Sequence, residues 1–140
     1  MTNSDKALIE ANILGIATAV NDEDLAKYGS LVTEDFVNIN KDVNGEVTST
    51  VGRQARLDVL QSFFDHAPLK TQVSMTPLEI IVDGDHAFAH IDGILKLEPK
   101  EDSVRGFTLS VDLYLFYYKD DKLGWLSERS FGVETKRVDA

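Results

Sequence analysis

No cysteine occurs in the 140 residues, so this chain cannot form a disulfide framework, a thiol nucleophile or a thiolate metal site. Positive charge is scarce too. The 14 Lys and Arg residues stand against 24 Asp and Glu, a net charge of -10, and no basic block appears. Nucleic acid and anionic membrane both attract local excesses of Lys and Arg, so neither is expected as a partner. No apolar stretch reaches membrane-spanning length, and Met1 to Lys6 lacks the basic flank and unbroken apolar core of a signal peptide. Together with the missing cysteine, this gives the expectation of a cytoplasmic protein. The glycines occur singly, which leaves no phosphate loop or dinucleotide fingerprint. There is likewise no Gly-x-Ser-x-Gly elbow, His-Glu-x-x-His helix or calcium loop, and no cofactor is expected.

What is present suits one domain over residues 1–140, with 43% hydrophobic residues to build its core. Leu8, Ile9, Ile13, Ile16, Ala17 and Val20 recur at helical spacing, with Ser4 in position to cap the helix. Asn21 is placed to cap a second, shorter helix that begins Asp22-Glu23-Asp24 and turns Leu25, Tyr28 and Val32 inward. Phe36 to Asn40 alternates as a strand, and Asn44-Gly45 signals a hairpin returning through Val47 to Val51. A third helix carries Leu57, Leu60, Phe63 and Phe64 and ends before Pro68. At its head, Arg53 and Arg56 are candidates for pairing with acids, for anchoring the helix or for holding a substrate anion. From Leu69 the period becomes strand-like, with strands expected at Thr71–Val82, Ala87–Leu97, Val104–Tyr118 and Lys122–Val133. Helices followed by an antiparallel meander indicate an α+β domain in which a curved sheet wraps a helical layer.

Asp112 interrupts the apolar run Phe107 to Tyr118. Strand parity puts it on one face with Ser110 and Tyr114, while His90 and Asp92 share a face with Phe88, and Trp125, Ser127 and Arg129 share a third. Converging inside a curved sheet, these residues would line a partly polar pocket. There Asp112 could move a proton with His90 beside it, and Tyr114 or Arg129 could stabilise charge on oxygen. The alternative is a satisfied buried pair, Asp112 with Arg129 or with His90. His90-Ile91-Asp92 also offers two metal-ligand types on one strand, but a metal site needs a third converging ligand, and neither His66 nor His86 is placed to supply it. Trp125 and the other aromatic residues are core material first and a wall for a flat, apolar ligand second. Neither face of the expected Val104–Tyr118 strand reads as a solvated surface, so one should meet helices and a cavity and the other a second subunit. A homodimer through the outer sheet face follows.

The order of Ala19-Val20-Asn21-Asp22-Glu23-Asp24-Leu25, Leu31-Val32-Thr33-Glu34-Asp35-Phe36, Val51-Gly52-Arg53 and Trp125-Leu126-Ser127-Glu128-Arg129-Ser130-Phe131-Gly132 resembles the nuclear transport factor 2-like and ketosteroid isomerase-like superfamily, and within it the SnoaL-like group. The resemblance spans roughly Ile9 to Gly132. It implies a cone-shaped α+β barrel with a pocket between helices and sheet. Ketosteroid isomerases use a carboxylate base on the first strand, a tyrosine in the first helix and a protonated aspartate on a late strand. On the suggested register these positions hold Asn40, Ile16 and Asp112. An amide cannot act as that base, which speaks against steroid-type isomerisation. SnoaL-type cyclases rely on a late-strand acid, a role Asp112 could fill. The resemblance therefore implies a pocket for a small, largely apolar organic ligand, with a cofactor-independent isomerase, cyclase or lyase as one use of it and a non-catalytic binding or dimerisation module as the other.

Overall fold

The helical and period-2 patterns become three helices and six strands in a computed structural model that describes residues 2–101 and 105–138. In order these are α1 (Thr2–Asn21), α2 (Leu25–Ser30), β1 (Val32–Lys41), β2 (Val47–Val51), α3 (Arg53–His66), β3 (Leu69–Asp83), β4 (His86–Pro99), β5 (Phe107–Asp120) and β6 (Gly124–Arg137). The strands form one curved sheet in the order β2-β1-β6-β5-β4-β3, and the helices lie across its inner side. Adjacent strands pair antiparallel except β1 and β6, which run parallel, so the sheet is mixed. It remains open, with β2 and β3 as its edges, and the whole is the cone-shaped α+β architecture expected.

Local chemistry explains most element ends. Gly45 takes φ +83 in the β1–β2 loop, where Asp42 Oδ1 accepts from the backbone N–H groups of Asn44 and Glu46. Pro77 is tolerated in β3 because that strand is an edge and is irregular between Pro77 and Glu79.

Several expected boundaries shift. α1 begins before Ser4, which lies inside the helix. Asp24, not Asn21, caps α2 by accepting from Lys27 N–H. Asn21 instead pairs with the Val73 backbone, donating to its carbonyl at 2.9 Å and accepting from its N–H. Val32 is buried, but as the first residue of β1. Leu8 is 55% exposed, so the inward stripe of α1 consists of Ile9, Ile13, Ile16 and Ala17. His66 closes α3 instead of lying beyond it. The expected start of the third late strand at Val104 lies outside the described residues.

The core is the inner face of the sheet against α1 and α3, with Ile9, Ile13, Ala89, Ile91, Leu115 and Tyr117 at or near zero exposure. One polar knot ties it together. Tyr117 donates to Asn12 Oδ1 at 2.9 Å, and Asn12 Nδ2 donates to the carbonyls of Leu31 and Trp125, both at 3.1 Å. Burial in this knot, with Tyr28 nearby, pushes the Tyr117 phenol far above its usual range. No helix is long and apolar enough to cross a membrane among the described residues.

Candidate functional site

β5 separates two surfaces. Leu109, Val111, Leu113 and Leu115 point inward and help to line a cavity of about 460 Å³. Ile16 and Val20 of α1 and Leu60, Phe63 and Phe64 of α3 close it from the helical side. A second, wider groove of about 860 Å³ runs between α1 and β3, bounded by Lys6, Glu10 and residues 77–82, and lies open on the surface away from this interior.

The polar wall of the cavity follows from strand register. Asn38 pairs across β1–β2 with Thr50 and across β1–β6 with Ser130, giving one rung, Thr50–Asn38–Ser130. Two residues on, Thr48–Asn40–Gly132 forms the next. All six residues line the cavity. Gly132 makes room for the Asn40 side chain, whose amide oxygen occupies the place a Cβ would take. Neither Asn38 nor Asn40 has a side-chain hydrogen bond among the described residues, so both amides can serve a guest. Thr135 also lines the cavity, and its buried hydroxyl has no partner among the described residues. On the helical side, Arg56 Nε donates to Tyr28 Oη at 3.1 Å, and the guanidinium lies 5.8 Å from the ring centroid. Tyr28 and Arg56 are the only ionisable side chains among the described residues that line this cavity.

The acid and imidazole expected inside are outside. Asp112, Ser110 and Tyr114 alternate with the inward leucines and project from the outer face. His90, Asp92 and Phe88 sit on the same side, because β4 turns Ala87, Ala89, Ile91 and Gly93 inward. There His90 Nε2 lies 2.5 Å from Asp112 Oδ1, and the imidazole stacks on Tyr114 with centroids 4.5 Å apart and 7° between planes. Of the two pairings considered, the structure forms Asp112 with His90. The pair is not sealed, since the Asp112 side chain is 43% exposed. It borders a shallow groove of about 270 Å³ shared with Leu78, Asp92, Ser110, Glu134 and Lys136.

β6 explains the other misplacements. Its pairing with β5 skips residues 128 and 133, so two β-bulges reset which side chains face inward. Ser127 therefore opposes inward Tyr117, whereas Arg129 opposes outward Phe116 and cannot reach the cavity. Trp125 and Ser127 are buried beside α1 without lining the cavity. The Trp125 indole N–H donates to Asp5 at 3.1 Å and holds that carboxyl below its usual value. The expected site residues that do line the cavity are Asn40 and Ile16. His90 and Asp92 share the outer face, but no group of three or more His, Asp or Glu converges in metal-binding geometry among the described residues. The missed residues, Asn38, Thr48, Thr50, Ser130 and Tyr28, left one trace in the sequence: amides and hydroxyls at i, i+2 on both arms of the first hairpin.

Known structures share this architecture. A protein from Planctomyces limnophilus superposes with a TM-score of 0.82 at 15% identity, covering 97% of this chain and 99% of its own. A ketosteroid isomerase-like protein from Erwinia carotovora atroseptica gives 0.71 at 19% identity, covering 96% of each chain. A nuclear transport factor 2-like superfamily protein from Salmonella enterica serovar Typhimurium gives 0.72 at 15% identity, covering 100% of this chain and 95% of its own. No curated protein matches the sequence. At such identities the likeness shows the fold alone. The sequence profile of the SnoaL-like domain matches residues 14–122, most of the chain, and the protein belongs to the SnoaL-like domain family.

Proposed function

We propose that the protein binds a small, largely apolar organic molecule in the cavity between α1, α3 and the inner sheet face. The observation that carries this reading is the lining: about 460 Å³ walled mainly by aliphatic and aromatic side chains, with two unengaged amides, Asn38 and Asn40, on one wall. Ligand sites have this composition, an apolar enclosure in which a few polar groups fix orientation. Binding is favoured over acid–base catalysis because no carboxylate, imidazole or amine lines the cavity among the described residues. A proton-transfer role for Asp112 and His90 would have to operate from the outer groove, which lacks an apolar enclosure. The neutral fluorescent probe N-phenyl-1-naphthylamine tests the reading. It should bind with one equivalent per chain, and Thr50→Trp, which inserts an indole at the polar wall, should weaken binding at least about tenfold while circular dichroism is unchanged. Equal binding by the two proteins would reject the cavity as the site.

The outer face supports a second copy of the chain as partner. Phe88 stacks with Tyr114 and Phe116 at centroid distances of 6.2 and 6.1 Å, and Phe116 and Ile81 remain 38% and 45% exposed. Four strands of 14 or 15 residues present on the order of 900 Å², near the roughly 800 Å² per partner of an ordinary interface. The row Asp92–Asp112–Glu134 crosses this face, so the proposed two-fold axis lies off that row and over the aromatic rungs, where like charges do not meet. Light scattering after gel filtration should give twice the chain mass for the wild type and the chain mass for Phe116→Asp. A monomeric wild type at tens of micromolar would remove the proposal.

A further inference from the structure

We infer that the cavity ligand is an organic anion, most simply a carboxylate on an apolar body, with Arg56 and Tyr28 receiving its charged end. This rests on the binding reading above and narrows its ligand class. In a chain of net charge -10, the cavity shows the opposite local sign: Arg56 is its one cation, and no acidic side chain lines it among the described residues. Arg56 forms no ion pair among the described residues. Among the described residues only its Nε is engaged, donating to Tyr28 Oη, and neither terminal NH₂ group of the guanidinium has a protein acceptor there. Tyr28 is 4% exposed and accepts that bond, while its own hydroxyl proton has no acceptor among the described residues.

A guanidinium at the wall of an apolar recess, with neither a carboxylate partner nor full hydration, is a standing electrostatic cost that a bound anion relieves. The geometry is preset. The Tyr28 hydroxyl and the ring beneath the guanidinium fix the fork, so little side-chain freedom remains to be lost on binding. Tyr28 also packs edge-on against Phe36 at 6.4 Å, which ties the pair to the floor of the cavity. A carboxylate held by guanidinium N–H groups and the phenol O–H would direct its hydrocarbon portion toward Leu60, Phe64 and Leu113.

The test compares 4-phenylbutanoate with its primary amide as competitors of N-phenyl-1-naphthylamine, with acetate as a control for charge without an apolar body. At pH 7 the carboxylate should compete at least about tenfold better than the amide, the usual worth of a charge-assisted contact, and acetate should not compete. Arg56→Gln should bring the two compounds within about twofold, Arg56→Lys should restore part of the difference, and Tyr28→Phe should reduce it less than Arg56→Gln. Equal competition in the wild type, or a preference that survives Arg56→Gln, overturns this inference while the probe's sensitivity to Thr50→Trp leaves the cavity reading intact. Failure of the naphthylamine itself to bind overturns both.

Discussion

The two faces of β5 are built from alternate residues of one strand, yet they obey different rules. Inward, Val111, Leu113, Leu115 and Tyr117 are almost wholly buried, and the one polar group among them is engaged by Asn12. Outward, Ser110, Asp112, Tyr114 and Phe116 keep partial exposure, and Asp112 pairs with His90 across the strand. A carboxylate in an apolar run therefore does not mark a cavity. It can equally sit among aromatic rings on a face that solvent or a second subunit covers, where partial exposure keeps the cost of its charge low. The inner face, by contrast, meets the cavity with aliphatic side chains, amides and hydroxyls, to which α3 adds one guanidinium.

Substitutions on the two faces should separate these rules. The largest effect is expected inside, from Asn12→Ala. It strands the Tyr117 hydroxyl and takes a donor from the Trp125 carbonyl, while the Leu31 carbonyl keeps the Ser127 N–H at 2.9 Å, and urea denaturation should show a loss of about 2–4 kcal/mol. A loss below about 1 kcal/mol would show that the knot is replaceable. Gly132→Ala comes next. The added methyl meets the Asn40 amide, so the side chain must move, at a cost of about 1–3 kcal/mol. Affinity for the naphthylamine probe should fall with it, and unchanged affinity would separate Asn40 from the binding wall. Asp112→Asn on the outer face is the smallest. With a side chain 43% exposed, it should cost no more than about 1 kcal/mol and alter probe affinity less than about twofold. A tenfold change would couple the two faces and return Asp112 to the ligand's chemistry.

Much of the architecture was legible before any coordinates. Helical spacing in the first segment, the Asn44-Gly45 hairpin and the later change to period 2 all correspond to observed elements. The candidate site was far less so, and the reason is geometric. Period 2 shows that Ser110, Asp112 and Tyr114 share a face, but it carries no label for inside or outside when both faces hold apolar residues. Local sequence also does not announce a bulge, and the two in β6 separate Ser127 from Arg129 although their spacing places them together. Arg56 was visible as a candidate anion holder, but its free valences were not.

The order of residues was enough to establish an acidic, cysteine-free α+β chain with helices first and a late sheet, because composition and periodicity are properties of the chain alone. Which side of that sheet encloses a cavity depended on where α1 and α3 come to rest and how the bulges of β6 reset its register. Those are relations between distant segments, and they placed Asn38, Asn40 and Arg56 at the cavity and Asp112 outside it.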